Sequence, residues 1–181
     1  KLYLGSGRTN ISRRTGDRIW SGSGWTGQPL VVCEDGEVFL IIGAYDYNLK
    51  KIRALTGEVV WEYKFDDVIK GPGTIWLNSN AENLEESSIV LQGSRRGYGN
   101  NLSSSRVPSF RAVSYFSGKE LWRLNVWRSR SFSRDMDGSP LVIDNTGYTG
   151  LENGYFIVFN PNPGAATAGK ELVQPEIISR H

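Results

Sequence analysis

Residues 112–122, Ala-Val-Ser-Tyr-Phe-Ser-Gly-Lys-Glu-Leu-Trp, contain the pattern that decides the fold: a Ser or Thr, then Gly, three further residues and Trp. This copy ends at Trp122, and two more copies end at Trp20 and Trp61. A pattern that recurs along one chain indicates a repeat architecture, in which each copy belongs to one structural unit. The sequence therefore predicts a fold built from similar units.

The spacing of the copies is typical of one four-stranded sheet per unit. Trp20 and Trp61 are 41 residues apart, and Trp61 and Trp122 are 61 apart. Four strands of about 5–6 residues with connections of about 4–6 residues occupy roughly 40 positions. Short apolar runs such as 30–33 and 38–42 flank turn residues between the copies, as expected for antiparallel hairpins. We therefore predict an all-β fold of four-stranded antiparallel blades, a β-propeller.

The pattern resembles the PQQ-like propeller repeat, A-x-D-x-x-T-G-x-x-x-W. The match is closest in the copy that ends at Trp122 and extends over nearly the whole chain to about residue 168. The other copies depart from the repeat at Asn10, Ser12, Lys51 and Arg53, and at Ala168, which takes the Trp position of a degenerate fourth copy. The resemblance implies a Gly at a tight turn and a Trp that packs between neighbouring blades.

These assignments define the structural repeat residues and the expected boundaries of the blades. The repeat residues are Gly16, Trp20, Gly57, Trp61, Gly118 and Trp122. Propeller repeats are expected over 1–168, with blades near 1–20, 27–61, 70–122 and 138–168, and with 169–181 as an extension or the start of a further blade. Since about 3.5 to 4 blades are present, we expect a larger propeller of roughly seven or eight blades, completed by the same or another chain.

Composition limits the classes of function. The net charge of +2 argues against a general nucleic-acid binder, and no apolar run is long enough to predict a membrane span. Cys33 is the single cysteine, so an internal disulfide is excluded, and its apolar run predicts a buried thiol. His181 is the single histidine, which leaves no basis for a histidine metal site.

Candidate binding residues lie in long connections between predicted strands. The 61-residue interval predicts insertions at 77–87 and 94–108, and a polar segment follows Trp122. Guanidinium groups on such loops suit carboxylate or phosphate recognition. The candidates are Arg95, Arg96, Trp127, Arg128, Arg130, Arg134 and Asp135. The alternatives are that the insertions are solvated decoration and that Arg134 and Asp135 pair with neighbouring blades.

Three functions remain open at this stage. The first is a non-enzymatic binding or scaffold propeller, extracytoplasmic, with a protein partner or acidic ligand and with no catalytic residue, metal or cofactor. The second, implied by the resemblance, is part of a quinoprotein dehydrogenase that holds PQQ and Ca²⁺, although many members have a vicinal Cys pair and Cys33 is single. The third is a glycan-binding propeller, which depends on the aromatic residues Trp25, Trp76, Tyr98 and Trp127.

Overall fold

The computed structural model describes residues 5–12, 16–24, 27–131, 133–169 and 172–181. Within these ranges the chain forms three sheets of four strands and two hairpins, and every strand pair is antiparallel. The predicted all-β fold of four-stranded blades is confirmed. None of the described helices is long and apolar enough to cross a membrane.

The strands follow the chain in order from sheet to sheet. A hairpin pairs β1 (Ser6–Ser12) with β2 (Gly16–Ser21). The first blade contains β3 (Leu30–Glu34), β4 (Glu37–Gly43), β5 (Asn48–Arg53) and β6 (Val59–Lys64). The second contains β7 (Thr74–Leu77), the short helix α1 (Leu84–Ser87) in its first connection, β8 (Ser88–Gly93), β9 (Phe110–Ser114) and β10 (Glu120–Leu124).

The third blade has an insertion before its last strand. It begins with β11 (Leu141–Ile143), β12 (Thr146–Gly150) and β13 (Phe156–Asn160). A 3₁₀ turn at Pro163–Ala165 and a hairpin of β14 (Thr167–Ala168) and β15 (Val173–Gln174) follow, and then β16 (Glu176–Arg180) pairs with β13. The stretch 169–181, expected to be an extension or a further blade, thus supplies the fourth strand of this blade. The inserted hairpin moves that strand beyond Ala168.

Two of the repeated tryptophans join neighbouring blades. Trp61 and Trp122 are 9% and 0% exposed. The Nε1 of Trp61 donates to the carbonyl oxygen of Tyr115 at 2.9 Å, and that of Trp122 donates to the carbonyl oxygen of Pro161 at 2.9 Å. Each acceptor lies three residues before the glycine of the next copy of the pattern. The same contact between blades therefore occurs twice.

The glycine of the pattern accommodates the tryptophan of the preceding copy. Gly118 has a φ of +75°, and a Cβ built there would lie 2.8 Å from the ring of Trp61. Gly57 has a similar φ of +76°, but a Cβ there would meet nothing within 4 Å. The two glycines thus share a backbone conformation and differ in packing.

This matched pair predicts a difference in stability. Gly57→Ala is expected to cost about 1 kcal/mol, because a residue with a Cβ is strained in the left-handed region. Gly118→Ala is expected to cost about 2–3 kcal/mol, because it adds overpacking against Trp61 to the same strain. Urea unfolding of the two variants measures the difference. Equal losses would mean that the contact between Gly118 and Trp61 contributes little.

The first copy of the pattern is placed differently. In the blades the Trp lies opposite the residue ten positions before it, which is Lys51 for Trp61 and Ala112 for Trp122. Asn10 is the corresponding position for Trp20, but Trp20 lies opposite Gly7, three residues earlier. The register differs because Gly16 already belongs to β2 and pairs with Ser12. Trp20 instead lies with its ring centroid 5.2 Å from that of Tyr45, in the β4–β5 connection.

Two smaller expectations about the first blade were wrong. Cys33 is exposed rather than buried, because the alternation of β3 places it on the open side of the sheet. The sequence predicts a strand over 49–55 with its basic residues facing outward, but Lys50 and Lys51 on β5 are buried. Lys51 is compensated by Glu34, 2.9 Å away, and by the ring of Tyr115, whose centroid lies 3.7 Å from its Nζ.

Candidate functional site on the loop face

One side of the sheets, which we call the loop face, carries the connections β4–β5, β6–β7, β8–β9, β10–β11 and β12–β13. Adjacent connections are joined by backbone hydrogen bonds, such as Arg95 N to the Val68 carbonyl at 3.0 Å and Met136 N to the Ser94 carbonyl at 2.9 Å. Antiparallel strands require this arrangement, because alternate connections leave the sheet at the same end. The loop face comprises residues 44–47, 65–73, 94–109, 125–131, 133–140 and 151–155.

The connection 94–109, which contains the predicted insertion, is tied to other units of the fold. The backbone N–H of Tyr98 donates to the Asp66 carbonyl at 2.8 Å. Its hydroxyl donates to Asp17 Oδ2 on β2 at 2.6 Å. The connection therefore links the second blade to the first blade and to the N-terminal hairpin.

Arg95, Arg96 and Asp135, three of the candidate residues, lie together, and two of them are buried. Arg95 and Asp135 are 7% and 3% exposed. The Nε of Arg95 donates to Asp135 Oδ2 at 2.8 Å and its Nη1 donates to Thr9 Oγ1 at 2.8 Å. The backbone N–H of Arg96 donates to Asp135 Oδ1 at 3.2 Å. This group holds the connections and the hairpin together.

Arg134 is likewise a buried residue that holds backbone in place. Its Nε donates to the Val126 carbonyl at 2.8 Å and its Nη1 donates to the Ser104 carbonyl at 2.5 Å. Burial, together with the nearby charge of Arg128, lowers the pKa of the Arg134 guanidinium. The structure thus places Arg134 between 94–109 and 125–131, where it links these two segments.

Arg128 and Arg130 are exposed on a segment that is anchored on both sides of each residue. The hydroxyl of Ser129 donates to the Asn153 carbonyl at 2.5 Å, and that of Ser131 donates to the Glu152 carbonyl at 2.7 Å. The preceding residue, Trp127, is half-buried, and the guanidinium carbon of Arg180 lies 5.0 Å from its ring centroid.

Three of the aromatic residues considered for glycan binding lie in different environments, from the core to the exposed surface. Trp76 is 7% exposed and belongs to the core, which contradicts the expectation of an exposed ring. Tyr98 is 45% exposed, and its hydroxyl is already bonded to Asp17. Trp25 lies outside the described residues.

A group of acidic residues lies between the first and third blades. Burial raises the pKa of the Asp137 carboxyl to about 6, and Glu152 contributes in the same direction. Lys70 is ion-paired with Asp137 and lowers the pKa. Burial also raises the pKa of Asp67 above its ordinary value. The second oxygen of Asp137, Oδ1, is buried and makes no hydrogen bond within the described structure.

A pocket of about 760 Å³ opens on the loop face beside this group. It lies between the β1–β2 hairpin, the 94–109 connection and the third blade. Its lining consists of Asn10, Trp20, Lys70, Arg95, Arg96, Gly99, Asn100, Asn101, Leu102, Ser103, Ser133, Asp135 and Glu152. Sequence reasoning missed Trp20, Lys70 and Glu152 as pocket residues. Lys70 and Glu152 lie in connections between strands, so the sequence could have indicated them as loop-face residues. Trp20 lies on a strand, and the sequence does not determine the pairing register that places its ring in the pocket.

The residues that the structure describes do not supply the cofactor ligands of a quinoprotein dehydrogenase. Among the described residues, no group of three or more His, Cys, Asp or Glu side chains has a geometry that could hold a metal ion. A vicinal cysteine pair is impossible with Cys33 alone. We therefore derive no reaction step through PQQ or Ca²⁺.

Two solved structures with a similar fold are quinohemoprotein alcohol dehydrogenases. Those of Comamonas testosteroni and Pseudomonas putida HK5 are 18% and 14% identical to this chain, each with a TM-score of 0.55. Each match covers 99% of this chain and 22% of the dehydrogenase, so the chain spans less than a quarter of their length. BamB from Moraxella catarrhalis is 15% identical, with a TM-score of 0.49, over 99% of this chain and 44% of BamB. No family model and no curated protein matches the sequence.

The two dehydrogenase matches support the propeller fold and nothing finer. They are β-propeller proteins, in agreement with the four-stranded antiparallel sheets described above. At 14–18% identity the similarity concerns the path of the backbone. Function has to be argued from the residues of the site.

Proposed function

We propose that this chain is a non-enzymatic binding propeller that recognises a protein partner, or another acidic ligand, on its loop face. The observation that carries the proposal is the pair of exposed arginines, Arg128 and Arg130, on a segment fixed by Ser129 and Ser131. Guanidinium groups bind carboxylates through two parallel hydrogen bonds. An anchored segment also loses less conformational entropy on binding than a free loop does.

We also propose a cellular location for the chain and further blades beyond those described. We propose an extracytoplasmic location, because the repeat pattern resembles that of PQQ-like propellers, and we propose that further blades complete the ring. Connections on a rigid scaffold are the usual place for recognition residues. The loop face of this chain provides such connections from all three blades.

Charge reversal at the two arginines tests this function. We expect Arg128→Glu combined with Arg130→Glu to weaken capture of the acidic partner from the native source by at least about 10-fold, because even one charged hydrogen bond is worth about 1.5–3 kcal/mol and each 1.4 kcal/mol changes the affinity about tenfold. Lys119→Glu is the matched control, since Lys119 is exposed in the β9–β10 turn at the opposite end of the second blade. Quantitative mass spectrometry of the captured proteins measures the change.

Two results would overturn the proposal. One is equal capture by the wild type and the double variant. The other is dye-linked alcohol oxidation by the intact protein after addition of PQQ and Ca²⁺, which would favour a dehydrogenase instead.

A further inference from the structure

We propose that the pocket beside Trp20 binds a saccharide. This site is separate from Arg128 and Arg130, neither of which lines the pocket, and it does not depend on the acidic partner proposed above. Four features carry the inference: an aromatic wall, cations that are already bonded within the protein, side chains that both donate and accept hydrogen bonds, and a suitable volume.

The aromatic wall is the ring of Trp20. The ring is half-buried and lines the pocket. It is supported by Tyr45, with ring centroids 5.2 Å apart and planes at 57°, and by the guanidinium of Arg95, 5.7 Å from its centroid. An indole ring is broad and apolar on its faces. The C–H face of a pyranose ring is the part of a sugar that packs on such a surface.

Two of the three cations that line the pocket are paired with carboxylates, and the third, Arg96, donates from its Nε to the Asn100 carbonyl at 3.1 Å. Arg95 is 2.8 Å from Asp135, and Lys70 is ion-paired with Asp137 and lies 3.9 Å from Asp135. A phosphate or carboxylate ligand would have to compete with these ion pairs. A neutral ligand leaves them intact, so the charge pattern favours an uncharged, hydroxyl-rich molecule.

The remaining polar lining suits hydroxyl groups. Asn101, Ser103 and Ser133 carry side chains that both donate and accept hydrogen bonds, and Glu152 is exposed at the pocket edge as an acceptor. Neighbouring sugar hydroxyls present donors and acceptors side by side, which amide and carboxylate groups can bind in pairs. The mixture therefore matches a sugar better than it matches a purely apolar ligand.

The volume of the pocket agrees with this class of ligand. Small-molecule sites in proteins occupy about 300–1,000 Å³, and this pocket has about 760 Å³. It is open to solvent along the 94–109 connection, so a short oligosaccharide could enter from the loop face. A long polymer would contact the pocket through one or a few of its units.

A glycan array followed by calorimetry tests the site. The intact protein is expected to bind neutral oligosaccharides, and the best array ligand is then titrated into the variants. We expect Trp20→Ala to weaken binding at least 10-fold and Trp20→Phe to retain most of it, because a smaller ring still offers a stacking surface. Phe156→Ala, at an exposed aromatic residue outside the pocket, should leave the affinity unchanged.

Further variants keep the test decisive. Asn101→Ala and Glu152→Gln alter the polar lining without removing Trp20, so they report on the site if Trp20→Ala impairs folding, and each is expected to weaken binding several-fold. The Arg128→Glu, Arg130→Glu protein should bind the saccharide normally, which separates this site from the proposed partner surface. The inference is overturned if no neutral glycan binds, if only anionic ligands such as nucleotides bind, or if affinity is insensitive to all pocket variants.

Discussion

Replacing Trp122 by Ala should lower the free energy of unfolding by about 3–5 kcal/mol, the usual cost of removing a large aromatic side chain from a core. Trp122 is fully buried, with the rings of Phe110 and Phe159 centred 5.2 and 6.0 Å away. Phe110 belongs to its own blade and Phe159 to the next, so the cavity would open between blades. Since small domains are stable by only about 5–15 kcal/mol, this variant is expected to be close to unfolding at 37 °C.

Two companion variants divide this loss into its causes. Trp122→Phe keeps much of the packing but removes the Nε1 bond to the Pro161 carbonyl, leaving a buried acceptor without a partner, so a smaller loss of about 1–3 kcal/mol is expected. Trp127→Ala, at a half-buried position, should cost less than Trp122→Ala. Urea denaturation midpoints measure all three. A loss below about 1 kcal/mol for Trp122→Ala would mean that the contact between blades does not stabilise the fold.

The sequence predicted the blades because the repeat combines two local requirements. A glycine with positive φ closes the turn, and a tryptophan follows at a fixed distance on the next strand. These requirements hold for the copies that end at Trp61 and Trp122. Gly16 also has a positive φ, +63°, and Trp20 follows it at the same distance on β2, but its ring packs elsewhere, because the position of a strand residue depends on the pairing register. The repeated pattern therefore places two tryptophans between blades and the third in the wall of the pocket.

The candidate site was harder to predict than the fold. The sequence places arginines in connections, but it does not show which guanidinium meets a buried acceptor. Arg134 and Arg128 belong to the same polar segment, yet the first is 3% exposed and bonded to carbonyls, and the second is exposed. Their difference depends on contacts with residues 20 to 30 positions away, such as Ser104 and Asn153. A local sequence pattern does not show which distant residues a side chain contacts.

Arg111→Met should cost about 3–5 kcal/mol, because it breaks a buried hydrogen-bonded charge network between the first and second blades. Arg111 lies on β9 with 1% exposure. Its Nη1 donates to the Tyr63 hydroxyl at 2.8 Å, its Nε donates to the Pro108 carbonyl at 3.1 Å, and its Nη2 donates to Asp66 Oδ2 at 2.5 Å. Methionine fills much of the space but leaves these acceptors without their donor.

A lysine variant and an exposed arginine provide the controls. Arg111→Lys keeps the charge but offers a single ammonium group in place of a planar fork, so it should recover only part of the loss. Arg128→Met, at an exposed position on the loop face, should change stability by less than about 0.5 kcal/mol. Urea unfolding at pH 7 compares the three variants. Near-complete recovery by lysine would show that charge rather than geometry holds the two blades together.

A double-mutant cycle with Tyr63 identifies the acceptor that matters most. Half of the Asp66 side chain is exposed, so its ion pair with Arg111 should contribute little. Tyr63 is more enclosed: burial raises the pKa of its hydroxyl to about 12, and that hydroxyl is also bonded to Glu120 on β10. If the bond from Arg111 to Tyr63 carries the network, Tyr63→Phe and Arg111→Met should show a coupling energy of about 0.5–3 kcal/mol. Additive losses would instead assign the effect to the carbonyl oxygens around Arg111.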